Sequence, residues 1–259
     1  RRGAKGKEEG TAEERRRPTM TRFLATRLSI VLLVTLGASF ACAQDLGGQR
    51  VSAALKANLD LPYDALVERS SEDEEKAPQI VSFFGASYET EAIIFCLDRS
   101  SSMADAGGWE DLQRELARAV SELSEDTDFG LVFFGEDTKV YPESKKPARA
   151  TEAEKKSALE FARALAPQSW TCLLPGLSDA LTMAQASRKA RRTVVLLSDG
   201  KPTCQGVNYF EYLDQVRAEA RSRAGATITI HTIGTGADVN DPFLSELART
   251  HRGTYRRAR

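Results

Sequence analysis

The sequence predicts an α/β protein: a doubly wound, mostly parallel sheet with helices on both faces and one antiparallel edge. Three observations carry this. Residues 92–97 (AIIFCL) and 193–197 (TVVLL) are continuous apolar runs, the pattern of strands buried on both faces. Amphipathic helical segments alternate with such runs from residue 92 onward. Residues 129–134 and 138–141 flank Gly135-Glu136-Asp137, a hairpin signature that supplies the antiparallel edge.

The elements follow in order. Residues 80–84 read as a short edge strand entering the domain, and 92–97 as the first buried strand. Residues 109–124 place Leu112, Leu116, Ala119, Val120 and Leu123 on one helical face. Thr151 stands three residues before Glu154, a capping box that opens a helix running to about residue 165. A helix over 173–187 carries Leu174, Leu177, Leu181 and Ala184 on one face, and the strand at 193–197 follows. A helix at 209–223, a strand at 227–233, a helix at 241–250 and a last edge strand at 253–256 complete the series. No internal repeat is present.

The chain has 259 residues, 41% hydrophobic and 28% charged, as in a soluble globular protein. Residues 1–43 hold 9 Lys+Arg and 4 Asp+Glu, which leaves a remainder of net −6. That balance gives no electrostatic case for nucleic acid. From Met20, a basic start, a 13-residue apolar stretch (LSIVLLVTLGASF) and Ala41-Cys42-Ala43 make a secretory signal peptide cleaved after Ala43. A spanning helix needs about 20 apolar residues, so a membrane anchor is the rival only if the segment stays uncleaved. Lipidation at Cys42 is a weaker alternative. Residues 1–19 read as a disordered leader or an over-extended start, and 44–79 as an acidic linker. The domain proper is 80–259, exported to the periplasm or outside the cell.

In such a compartment Cys172 and Cys204 can pair as a disulfide, the alternative being two separate thiols. Cys96 reads as a buried small hydrophobe. His231 and His251 are far from any Cys-x-x-Cys, so no zinc spacing exists.

The chemistry lies at strand ends. Asp98-Arg99-Ser100-Ser101-Ser102 follows the first buried strand, Ser169-Trp170-Thr171-Cys172 precedes a helix, and Ser198-Asp199-Gly200 ends another buried strand. Ligands of open α/β sheets bind outside the carboxyl ends of the strands. Convergence there would gather three hydroxyls (Ser100, Ser102, Thr171) and two carboxylates (Asp98, Asp199). Oxygen donors without thiolate or imidazole suit Mg²⁺, with Mn²⁺ or Ca²⁺ as alternatives.

On these residues the sequence resembles the von Willebrand factor type A domain over about residues 80–259. The metal-ion-dependent adhesion site of that family reads Asp-x-Ser-x-Ser, a distant Thr and a distant Asp, and Asp98, Ser100, Ser102, Thr171 and Asp199 match it. The resemblance implies a Rossmann-like fold and Mg²⁺-dependent binding of a partner's Asp or Glu. It implies Ser100 and Ser102 as direct ligands, Thr171 direct or through water, and Asp98 and Asp199 acting largely through water. Phe83-Phe84-Gly85 and the Leu-Ser-Asp-Gly before Lys201-Pro202-Thr203 look like the exported bacterial members. Ser101 stands where the family often has Gly, and Ser169-Trp170 where a Gly often lies near the Thr. Trp170 and Lys201 are candidate partner contacts, against loop packing for Trp170 and simple solvation for Lys201.

An enzyme is the rival class. A strand-end Asp with Mg²⁺ also fits a haloacid-dehalogenase-like phosphatase, but that chemistry needs a carboxylate where Ser100 stands. No phosphate loop for a nucleotide and no Gly-x-Ser-x-Gly elbow is present, and neither His falls near the site. A third reading is a structural envelope protein whose domain loads no metal. The expectation is therefore an exported, non-enzymatic module that binds an acidic protein partner through Mg²⁺.

Overall fold

The computed structural model describes residues 77–104 and 108–258. The leader, signal segment and all but the end of the acidic linker lie outside the described residues, as does Cys42.

The main sheet is built on β3 (Ala92–Asp98), every residue of which is buried. It pairs in parallel with β4 (Asp128–Phe134) on one side and β7 (Arg192–Ser198) on the other. Beyond β7 come β8 (Ile228–Gly234) and the short β9 (Tyr255–Arg257), both parallel. On the far side of β4, β5 (Thr138–Tyr141) and the two-residue β6 (Ala148–Arg149) run antiparallel. The order is β5-β4-β3-β7-β8-β9, so the sheet is mixed and mostly parallel, as the alternation predicts.

Alternate residues of β3 enter two separate cores, as a period of two requires. Ile94 and Cys96 pack with α3 (Leu173–Ala186), α4 (Tyr209–Ala224) and α5 (Asp241–Thr250). Ile93, Phe95 and Leu97 pack with α1 (Gly108–Ser121) and α2 (Glu152–Arg163). Helices thus cover both faces. The capping box at α2 forms in part: the Thr151 hydroxyl accepts from the Glu154 N–H at 3.3 Å. Cys96 is a buried free thiol.

One expectation is corrected. The strand at the domain entrance does not edge the main sheet. It is β1 (Gln79–Phe83), and it pairs antiparallel with β2 (Ala86–Thr90) in a separate hairpin. Phe84 and Gly85 have φ of 47° and 68°, the double positive φ of a two-residue hairpin turn. The hairpin lays Val81, Phe83 and Tyr88 onto the α1/α2 core. Among the described residues no helix is long and apolar enough to cross a membrane.

Candidate metal centre

Asp98 closes β3, and Ser198 and Asp199 close β7. Because β3 and β7 are parallel neighbours in register, both ends emerge at the same sheet edge. Asp98 is fully buried. Its Oδ1 accepts from the Ser100 N–H at 2.8 Å and its Oδ2 from the Ser198 hydroxyl at 2.7 Å. The first bond folds the chain back at once, so a 3₁₀ turn (Ser101–Met103) starts directly after the strand. That turn brings the Ser100 and Ser102 hydroxyls within 3.0 Å of each other. The Ser102 hydroxyl reaches Asp199 Oδ2 at 3.4 Å, and Asp199 Oδ1 accepts from the Lys201 N–H at 2.8 Å. Four of the five residues singled out in the sequence therefore form one hydrogen-bonded cluster.

Thr171 stands outside that hydrogen-bonded cluster. Its loop is tied to the serine loop where the Gln168 N–H donates to the Arg99 carbonyl at 2.6 Å, and Ser101 Oγ donates to the Ser169 carbonyl at 3.5 Å. Thr171 is buried, and its N–H donates to Thr203 Oγ1 at 3.0 Å. The Thr203 N–H returns a bond to the Thr171 carbonyl at 3.2 Å. The Thr171 hydroxyl makes no hydrogen bond among the described residues; its backbone is tied to Thr203, and its loop to the serine loop through Gln168 and Ser169. Beside it, Cys172 and Cys204 form a disulfide, with Cα atoms 4.7 Å apart. Trp170 is 37% exposed next to this bridge. Lys201 is ion-paired with Asp238.

The cluster is short of positive charge. Burial, and then the charge of Asp199, push the Asp98 carboxyl up to about 7. Burial also raises Asp199, opposed by the Lys201 N–H. Among the described residues no cationic side chain forms an ion pair with either, because Lys201 is held by Asp238. Ser102 and Asp199 open into a cleft of about 450 Å³, which Asp111 and Asp238 also line. Buried carboxylates without a paired cation are costly, and the two serine hydroxyls beside them are hard oxygen donors. This donor set fits a divalent cation such as Mg²⁺. Among the described residues no group of three or more His, Cys, Asp and Glu side chains is placed to hold a metal, so a cation here would depend on the hydroxyls.

Sequence reasoning missed Ser198, which fixes Asp98 from the neighbouring strand, and Asp111 and Asp238, which line the cleft paired with Arg114 and Lys201. Ser198 is part of the Ser-Asp-Gly run, but only strand register reveals its partner.

The sequence model of the von Willebrand factor type A domain matches residues 91–257. The chain belongs to the von Willebrand factor type A domain family. Domains of this family commonly serve as protein-interaction or adhesion modules. Mouse inter-alpha-trypsin inhibitor heavy chain 4 is 25% identical over 172 residues, 64% of this chain and 18% of that protein. The human heavy chain H4 is 26% identical over the same shares. The chain thus spans under a fifth of the length of these relatives. Among solved structures, a von Willebrand factor type A protein from Catenulispora acidiphila superposes with a TM-score of 0.58 at 22% identity, covering 67% of this chain and 40% of that one. The pilus adhesin SpaC from Lactobacillus rhamnosus GG gives 0.51 at 15% identity, covering 66% and 28%. These two likenesses show the shared fold.

Proposed function

We propose that this von Willebrand factor type A domain is an exported protein-binding module that takes up Mg²⁺ at Asp98, Ser100, Ser102, Thr171 and Asp199 and captures an acidic side chain of a partner protein. The observation that carries this reading is the Asp98–Ser100–Ser102–Asp199 cluster: a buried carboxylate, a half-buried one and two hydroxyls, in no ion pair with a cationic side chain among the described residues, opening into a cleft. Both oxygens of Asp98 already accept bonds from the chain. Asp98 therefore acts mainly as the hub that orients Ser100, which leaves the two serine hydroxyls as the better direct ligands. When bound, a divalent cation supplies an open coordination position for a carboxylate oxygen. Without it, Asp199 faces an acidic partner with no ion pair of its own among the described residues, while Asp111 is paired with Arg114 and Asp238 with Lys201. Trp170, exposed one residue before Thr171, is the candidate for an apolar contact with the partner. Lys201 is occupied by Asp238 and is the weaker candidate for such a contact. Export rests on the signal-like segment at 20–43 and fits a disulfide in the domain.

The test joins two measurements. Calorimetry with Mg²⁺ and Mn²⁺ on the purified protein should show saturable binding that Asp98→Ala and Thr171→Ala abolish. A pull-down from the native envelope fraction should recover a partner only while Mg²⁺ is present. No heat of binding would mean a domain that loads no metal. A partner that stays bound in EDTA would overturn the cation-bridged reading.

A further inference from the structure

The second residue of the Asp-x-Ser-x-Ser run is a buried arginine. Arg99 is 4% exposed, which is unusual for a guanidinium. It points away from the cation site and into the junction of three loops. Its backbone N–H donates to the Phe134 carbonyl at 2.9 Å, at the end of β4, and its carbonyl accepts from the Gln168 N–H at 2.6 Å. Its side chain donates to the Ala166 carbonyl at 3.2 Å and pairs with Asp137 in the turn after β4. Gln168 closes the junction: its Oε1 accepts from the Glu136 N–H at 2.8 Å and the Asp137 N–H at 3.2 Å. A Cβ at Gly135 would lie 2.7 Å from Gln168 Oε1 and 3.3 Å from Arg99 Cγ, so a side chain there would push the Gln168 amide off its two N–H donors. The Cys172 N–H then donates to the Gly135 carbonyl at 2.9 Å, immediately after Thr171.

We infer that Arg99 is a positioning residue for the cation site, holding the Thr171 loop against the Ser100–Ser102 loop through Ala166, Asp137 and Gln168. The need is physical. Thr171 is the one proposed ligand outside the hydrogen-bonded cluster, and among the described residues its loop is hydrogen-bonded to residues 99–101 through residues 166–169. Burying a guanidinium against a half-exposed carboxylate is a poor way to gain stability, since desolvation opposes the ion pair. Its Nε even lacks a partner. What the planar fork provides is direction: two acceptors on two different loops, fixed relative to each other. An apolar side chain would fill the same volume without fixing either.

This inference rests on the cation-site reading, and its experiment separates the two. In the full chain, Arg99→Met keeps the stem and removes the fork, Arg99→Lys keeps one donor group, and Asp137→Asn weakens the pair from its half-exposed side. Mg²⁺ affinity is read by calorimetry, and hydrogen exchange of residues 166–172 is read in metal-free protein. Arg99→Met should weaken Mg²⁺ at least tenfold and speed exchange in 166–172 while β3 and β7 keep their protection. Arg99→Lys and Asp137→Asn should fall between it and the wild type. Wild-type exchange in 166–172 for all three variants would overturn the inference, as would a loss of protection spread evenly over the domain. If the wild type itself binds no Mg²⁺, the cation reading fails, and the exchange pattern still decides whether Arg99 positions the loop. If Arg99→Met does not fold, Asp137→Asn decides alone.

Discussion

Removing the Cys172–Cys204 bridge tests how the site's two outer loops are held. The bridge closes a span of 32 residues that includes all of α3 and β7. In the chain-entropy treatment, a loop of that size restricts the unfolded ensemble by about 12 cal/mol/K, or about 3.7 kcal/mol at 25 °C. The folded state changes little by comparison, because Thr171 and Thr203 are also joined by two hydrogen bonds at 3.0 and 3.2 Å. A Cys172→Ser/Cys204→Ser double variant should therefore keep its fold. With a urea slope of about 2 kcal/mol/M, its midpoint should fall by roughly 2 M. The assay is urea unfolding followed by far-ultraviolet circular dichroism, for the oxidised wild type and the double variant, both with Cys96 intact. Slopes must match for the midpoints to be compared. Equal midpoints would refute the reasoning, as would mass mapping without reductant that finds both thiols free.

Two further outcomes are expected. Burial depresses His231 from its ordinary 6.5 to about 4, and its Nδ1 accepts from the Thr254 N–H at 3.0 Å, so the fold holds it neutral. The unfolded chain therefore binds the extra proton between those two values, and the His231 contribution is complete above pH 6.5 and lost as pH falls toward 4. Solvent screening of this partly exposed ring reduces it to on the order of 1 kcal/mol; urea midpoints at pH 7 and 4.5 should differ less in His231→Gln than in the wild type, and an identical difference would disprove it. Gly176 lies in α3 against β4, where a Cβ would sit 2.6 Å from the Phe134 Cβ. Gly→Ala in a helix ordinarily gains about 1 kcal/mol, but overpacking costs about 1–3, so Gly176→Ala should lower the melting temperature, and a rise would show that the helix can shift away.

The fold was legible because its signals are periodic. β3 and β7 are unbroken apolar runs, and the helices over them repeat at three and four residues. The β1–β2 hairpin was only half visible. Residues 86–90 (ASYET) carry one large apolar side chain, and the turn that reveals the pairing is Phe84-Gly85, where a non-glycine residue takes positive φ. The candidate site was legible in its ligand residues but not in its supports. Ser198 could be matched to Asp98 only through the register of β3 with β7. Arg99 reads in sequence as a charged loop residue, and charged loop residues are normally solvated. Its burial depends on three loops that are separated along the chain and adjacent only in space.

The placement of charge bears on how a cation would act at the proposed site. Arg191, Arg192 and Arg252 cluster near the edge where the parallel strands begin. Asp111, Asp199 and Asp238 line the cleft at the edge where they end. Seven-residue strands at about 3.3 Å per residue separate the two edges by roughly 20 Å. That exceeds the ~8 Å Debye length at physiological salt, so the two fields do not cancel at either end. Arg191 is paired with Glu89 at its edge, and in the cleft Asp111 is paired with Arg114 and Asp238 with Lys201, which leaves Asp199 as the cleft carboxylate in no ion pair among the described residues. Lys201 is held by Asp238 and offsets the charge of Asp199 only in part, and among the described residues neither Asp98 nor Asp199 forms an ion pair. A bound divalent ion would add the larger positive charge at the serine hydroxyls. A partner that docks there should bind fully with the cation and not at all without it, in contrast to the graded response of a site carrying its own positive side chain.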